Sequence, residues 1–155
     1  PTSVYGTQWR RPGQRPVGDT RTVSVLHYPG DLRAVIHSNH ENIAGDNEAR
    51  FRIDGSEGSI RGELGLLADY PRGRPARLEL WSRVLPTDGW LPYPVTRRWI
   101  PDAFLGPVGS LLRAIVDGGD PTSGARDNLK TLRLAEALYR SGETGEVVTI
   151  EPEVP

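Results

Sequence analysis

Apolar residues follow two different periods along this chain, and the change between them falls near Trp99. In the downstream stretch, Trp99 to Ser141, Val108, Leu111, Leu112, Ile115 and Val116 recur at i, i+3, i+4, i+7 and i+8, which places them on one face of a helix. A proline inside a helix costs about 3 kcal/mol but is tolerated in its first turn, so Pro107 sets the start near Gly106 and Gly118-Gly119 marks the end. A second helix is expected after Asp120-Pro121-Thr122-Ser123, whose hydroxyls suit an N-cap, with Gly142 as the residue past its last turn. Its expected apolar stripe is Leu129, Leu132, Ala135 and Leu138, with Arg126, Lys130, Arg133 and Arg140 on the opposite side. The pair reads as a helical hairpin with one wet face.

Upstream the period drops to two. Thr2 to Trp9 reads as a first strand, and Arg10 to Thr20 reads as a loop from its Pro, Gly and Asp content. Thr22 to Tyr28 and Leu32 to Asn39 form a hairpin across Tyr28-Pro29-Gly30-Asp31, with Pro at i+1 and Gly at i+2 as a type II turn requires. Glu48 to Asp54 and Ser59 to Leu64 form another across Gly55-Ser56-Glu57-Gly58. There Ala49, Phe51 and Ile53 alternate with Glu48, Arg50, Arg52 and Asp54, so one face is dry and the other charged. Leu78 and Leu80 among Arg77, Glu79 and Arg83 add a strand of the same character, and Glu146 to Ile150 a short last one.

The expected architecture is therefore α+β: a mostly antiparallel open sheet of five or six strands, with the two C-terminal helices packed on the face that bears Phe51 and Ile53. Tyr70 to Ala76 and Leu85 to Thr96 read as irregular loops. Long irregular segments on a rigid sheet are where binding residues concentrate, which makes Pro86 to Trp99 a candidate.

Composition narrows the function classes. The 155 residues, read as one domain over 1–155, are long enough for a single sizeable core, and a net charge of -1 with scattered arginines argues against a nucleic-acid partner. The absence of cysteine excludes disulfides and thiolate metal sites. Charges or prolines break every apolar run below the length of a membrane span, so the expectation is a cytoplasmic protein with no membrane partner. Methionine is absent, even at position 1, and the chain reads as a piece of something longer.

Two clusters could carry chemistry. His37-Ser38-Asn39-His40-Glu41-Asn42 lies at a strand end and suits a hydrogen-bonding rim for a polyol, or is simply a polar strand end. A metal site needs His37 and His40 to converge, and along a straight strand these positions point to opposite faces. Thr96-Arg97-Arg98-Trp99 pairs a forked cation with an apolar ring, which suits a sugar or carboxylate ligand and equally a domain interface. Trp81 and Trp90 read as packing residues. The basic row on the second helix reads as a solvated face that Glu136 partly neutralises. Gly55-Ser56-Glu57-Gly58 opens no helix and so lacks the geometry of a phosphate loop. No serine–histidine triad is legible, since Ser38 and its immediate neighbours point apart.

Pro101 to Ser141, with LLRAI and then PTSGARDNLKTLRLAEALYRS, resembles the closing helices of a known domain. That domain is the C-terminal one of the glucose-fructose oxidoreductase and inositol dehydrogenase (Gfo/Idh/MocA) family. The likeness extends upstream through FRIDGSEGSIRGELGLL to about Thr2. In that family an N-terminal Rossmann domain binds NAD or NADP, and an E-K-P lysine and a D-x-x-x-H pair handle the proton. None of these motifs occurs here; the one lysine is Lys130. The resemblance implies the substrate-binding and oligomerisation domain of an NAD(P)-dependent oxidoreductase acting on a sugar, polyol or related compound. It implies that the missing partner is a Rossmann domain and that this chain itself holds no cofactor. It also implies His40, Asn42, Arg98 and Trp99 as substrate-side residues and a homo-oligomer contact through the open sheet face. That face carries Arg50, Arg52, Arg61, Glu63 and Glu79, unusually polar for an interface. The alternative is a stand-alone, non-catalytic dimerisation or small-molecule binding module.

Overall fold

In the computed structural model of the chain, the described residues are 1–41, 49–65, 69, 71–86 and 88–151. They form two units. The first, Pro1–Ala44 with Ser123–Pro155, holds β1 (Ser3–Trp9), β2 (Arg21–His27), β3 (Arg33–Asn39), a helix at Ala125–Thr144 and a terminal strand at Val148–Thr149. The second, Gly45–Thr122, holds β4 (Ala49–Asp54), β5 (Gly58–Leu64), β6 (Arg77–Ser82), β7 (Leu91–Tyr93), a 3-10 turn at Asp102–Phe104 and α1 (Leu105–Asp117). The helix Ala125–Thr144 is α2 and Val148–Thr149 is β8.

The α+β class stands, but the strands do not pair as one sheet of five or six. Hydrogen-bonded pairing gives two antiparallel groups of four, in the orders β3-β2-β1-β8 and β4-β5-β6-β7. Each expected hairpin is present, and each closes within its own group. Gly30 takes the positive φ of 72° that its turn needs, and the Arg33 guanidinium donates to the Tyr28, Gly30 and Leu32 carbonyls around it. β7 was not expected; it pairs with β6 from inside the segment that reads as a loop.

Each helix has its contacts within its own unit. α2 lies on β1, where Val4, Leu26 and Ala137 make a buried core flanked by Tyr28, Ala34, Leu134, Leu138, Val148 and Ile150. Burying Val4 and Leu26 stabilises this unit by roughly 1.5–3 kcal/mol each. The stripe that packs is Leu134, Ala137, Leu138 and Ser141, at i, i+3, i+4 and i+7; Leu129 and Leu132, which anchored the expected phase, stay exposed. α1 packs on the 3-10 turn that precedes it, and Val108, Leu111, Leu112, Ile115 and Val116 on its apolar face are all exposed. Its period was read correctly, but a period names no partner.

The helix ends show why glycine misled. α1 stops at Gly118 in the left-handed region, as expected. α2 continues through Gly142 and ends at Gly145, whose φ is 73°. Gly142 serves another purpose: a Cβ there would collide with the Gln8 side chain, which crosses the helix to donate to the Tyr139 carbonyl at 3.1 Å. The N-terminus is capped by no side chain, since Gly124 stands at the N-cap; the Thr122 hydroxyl oxygen accepts from Ser110 at 3.0 Å. No helix among the described residues is long and apolar enough to cross a membrane.

The closest joint in the first unit lies where α2 meets β1. β8 pairs with β1 only at Ser3 and Val4, and beyond it the Gly6 N–H donates to the Ser141 hydroxyl at 2.9 Å. That hydroxyl, fully buried, donates in turn to the Glu146 carbonyl at 2.5 Å. Gly6 has no side chain in the way; a Cβ would stand 3.0 Å from Leu138 Cδ2 and 3.1 Å from the Leu138 carbonyl oxygen. Chemical denaturation is therefore expected to show Ser141→Ala destabilised by about 1–3 kcal/mol and Gly6→Val by a similar amount through overpacking. Wild-type midpoints for both variants would contradict this account of the joint.

Candidate functional site

The polar strand end in the first unit is built by alternation. Residues i and i+2 share a face of a strand, so Ser38 and His40 lie together where Ser38 and His37 do not. Ser38 Oγ stands 3.0 Å from His40 Nε2, and the His40 N–H donates to the Thr20 carbonyl at 2.9 Å, which extends the β2–β3 ladder one residue past β3. The Glu41 N–H donates to Asn39 Oδ1 at 3.0 Å. His40 is exposed, so its ring and the Ser38 hydroxyl can share hydrogen bonds with a ligand hydroxyl. No group of three His, Cys, Asp or Glu among the described residues could hold a metal ion. Asn42 lies outside the described residues. Reading only nearest neighbours around Ser38 missed its contact with His40; the period of two was the available signal.

Arg98 and Trp99 belong to the second unit. The Arg98 backbone bridges Pro75, its N–H donates to Asp102 Oδ2 at 2.9 Å, and its guanidinium reaches the Arg72 carbonyl at 2.5 Å. The Trp99 carbonyl accepts from the Ala103 N–H at 2.8 Å, and the following Ile100–Pro101 peptide is cis. Arg98 thus ties two loops together, while Trp99 is 42% exposed. His40 falls in one unit and this pair in the other.

The charged face of the second sheet is more organised than the sequence suggested. Directly opposed residues there run Arg52–Arg61–Glu79 in one row and Arg50–Glu63–Arg77 in the next. Arg61 pairs with Glu79 at 2.7 Å, Arg50 with Glu63 at 3.2 Å and Arg52 with Asp54 at 2.9 Å. Arg52 and Arg61, like charges placed opposite one another, both approach the Trp90 ring, at 5.6 and 4.3 Å from its centroid. The negative face of the indole offsets part of their repulsion. Trp90 is therefore a clamp on the charged face, and the arginine opposite an arginine was the sign that something must lie over them. A cavity of about 570 Å³ opens among Arg50, Arg61, Glu63, Arg77 and Glu79.

Hydrogen bonds from Arg52 and then Ser59 hold the Asp54 carboxyl below the usual carboxylate range, the Arg61 guanidinium does the same for Glu79, and Glu79 raises Arg61 in return. With folded-state values below those of the unfolded chain, the stabilisation from these carboxylates is present above the ordinary carboxylate range and lost as pH falls through the lowered values. Carboxyl NMR titration is expected to give depressed midpoints for Asp54 and Glu79, and Arg61→Ala should return Glu79 towards the ordinary value. An undisplaced Glu79 midpoint in the parent chain would refute the pairing.

No protein-family model matches this sequence. It is 37% identical over 152 aligned positions to a D-apiose dehydrogenase of Paraburkholderia graminis, a match that takes in 88% of this chain and 37% of that protein. Among solved structures, the aldose-aldose oxidoreductase of Caulobacter crescentus complexed with glycerol superposes with a TM-score of 0.76 at 19% identity, over 96% of this chain and 41% of that one. An oxidoreductase domain protein of Kribbella flavida gives 0.76 at 19% identity, over 97% of this chain and 44% of that one. An Agrobacterium radiobacter oxidoreductase in complex with NAD+, L-tartaric acid and magnesium gives 0.71 at 21% identity, over 96% and 43%. The fold is that of a part of these solved chains, 41% to 44% of their length. The chain is of the Gfo/Idh/MocA type, the C-terminal-domain kind, as its helices and second hairpin suggested. It spans 37% of the length of the curated relative it matches.

Proposed function

We propose that this chain supplies the substrate wall of a cytoplasmic NAD(P)-dependent oxidoreductase acting on a sugar or polyol, its nicotinamide held by a Rossmann domain outside the 155 residues. The observation that carries this reading is the exposed Ser38–His40 pair, in a chain 37% identical to part of a D-apiose dehydrogenase. A hydroxyl and an imidazole at 3.0 Å offer a donor and an acceptor side by side, which matches the two-way hydrogen bonding of a sugar hydroxyl. Hydride transfer needs substrate and cofactor held in contact, and such a wall contributes orientation rather than the proton step. Asn42 and the Arg98–Trp99 pair are the further substrate-side residues in this reading. The arginine–glutamate face of the second sheet is its subunit contact, where ion pairs can be shared with a second copy.

In a full-length enzyme, His40→Ala is expected to lower kcat/KM for the sugar by about tenfold to a hundredfold, the worth of one or two ligand hydrogen bonds, with nicotinamide affinity unchanged. The 155-residue chain alone is expected to give no heat with NAD or NADP in calorimetry, and Arg61→Glu to reduce the assembly seen by sedimentation of the full-length protein. Nicotinamide binding to the isolated chain, or an unaltered kcat/KM in His40→Ala, would overturn the reading.

A further inference from the structure

Among the described residues, β3, β8, β4 and β7 are the edge strands of the two sheets. An edge strand offers a row of unpaired N–H and C=O groups to another chain, and folded proteins blunt it with shortness, proline or charge. β8 is two residues long. β7 is three residues long and carries Pro92 in its middle. β4 sets Arg50, Arg52 and Asp54 along its length. β3 has none of these devices: it runs for seven residues without proline, and its one charged residue of fixed sign, Arg33, stands at its first position. Val35 and Ile36 at its centre are 68% and 51% exposed.

The bonds to β2 fix which groups of β3 face outward. The Tyr28 N–H donates to the Leu32 carbonyl and the His40 N–H to the Thr20 carbonyl, so in this antiparallel ladder Ala34, Ile36 and Ser38 bond inward, opposite Leu26, Ser24 and Thr22. The N–H and C=O groups of Arg33, Val35, His37 and Asn39 therefore point away from β2. This row is self-complementary. An antiparallel copy centred on Ile36 sets Arg33 opposite Asn39 and Val35 opposite His37, with all four residues in positions that exchange N–H···O bonds in both directions. Ile36 then meets Ile36 of the second copy in a non-hydrogen-bonded position, where side chains stand closest, and Ala34 meets Ser38. No charge is set directly opposite a like charge in this register.

We propose that the outer edge of β3 is an interaction surface for a second copy of this chain, which continues the first sheet across a twofold axis at Ile36. The α2 helix lies on β1, two strands inside the edge, and does not stand in the way. In the joined sheet the two α2 helices lie on one side and the two open faces on the other, because opposed residues of an antiparallel pair share a face. Ile36 and its counterpart are then shielded from water by one another. The contact is one strand wide, which places it among small, transient interfaces that form as concentration rises. It is separate from the arginine–glutamate face of the second sheet, and it does not rest on the redox reading, because only this chain is needed to form it.

The chain has no cysteine, so a single introduced thiol reports the register. In Ile36→Cys the two thiols face each other across a non-hydrogen-bonded pair with Cα atoms about 4.5 Å apart, within the range a disulfide spans. Oxidised glutathione is expected to convert that variant to a covalent dimer. Val35→Cys, at a more exposed position but opposite His37, is expected to stay monomeric under the same treatment. Sedimentation of the parent 155-residue chain is expected to show association that grows with concentration. Two variants should abolish it: Ile36→Lys, which opposes two like charges, and Val35→Pro, which removes an outward N–H while sparing the ladder to β2. Crosslinking decides the matter even where Val35→Pro fails to fold. Adding Arg61→Glu, on the second sheet, should leave the crosslink unchanged, and its loss there would assign the contact to that sheet and overturn the proposal. Equal crosslinking of the two cysteine variants would overturn it as well, as would a parent chain that stays monomeric up to about 1 mM, the weak end of specific association.

Discussion

One strand in the first unit is approached so closely by a helix that a Cβ at Gly6 would stand 3.0 Å from Leu138. Gly6 admits Leu138 to within van der Waals contact, and the Ser141 hydroxyl, one turn further along α2, accepts from the Gly6 N–H and donates to the Glu146 carbonyl. Those bonds fix the height and the direction of α2 on the sheet. Val4, Leu26 and Ala137 are buried as a result, and β8 can return beside Ser3 and Val4 because the chain turns at Glu146 where the hydroxyl holds it. The strand end that carries Ser38 and His40 is a far end of the same sheet. Its geometry is inherited from this joint.

The two units achieve order by different means. The first has a small apolar core with a buried hydroxyl at its centre. In the second, described side chains are at most half-buried along the strands, and the sheet's organisation is carried visibly by its polar face, where arginines, carboxylates and Trp90 interlock. Exposed ion pairs are worth little singly, and more where several share a geometry around one ring. α1 adds a fully amphipathic helix whose apolar side is bare.

Much of the secondary structure was legible, because it depends on local signals. Alternation marked β4 and β5 to within a residue, Pro29-Gly30 set the turn between β2 and β3, and Pro107 with Gly118 bounded α1. The errors came where a local signal has two physical uses. Gly142 reads as a helix stop but makes room for Gln8, and Gly145 performs the capping. Leu129 and Leu132 look like a core stripe, yet the face that packs carries Leu134, Ala137 and Leu138 together with the hydrogen-bonded Ser141. Which strands share a sheet, and what covers α1, are long-range facts that periodicity does not contain. At the candidate site the sequence singled out the segment from His37 to Asn42, but not the Ser38–His40 contact within it. His40 meets Ser38 because of the pleat.

The central claim, that the Gly6–Ser141 joint organises the first unit, makes a direct statement about one amide. Native-state hydrogen exchange on the folded chain should find the Gly6 N–H among the slowest-exchanging protons, opening only with the global unfolding of that unit, although β8 pairs with β1 only at Ser3 and Val4 and does not reach it. Exchange of Gly6 at the rate of a free sheet edge, while the Val4 and Leu26 amides stay protected, would contradict the account.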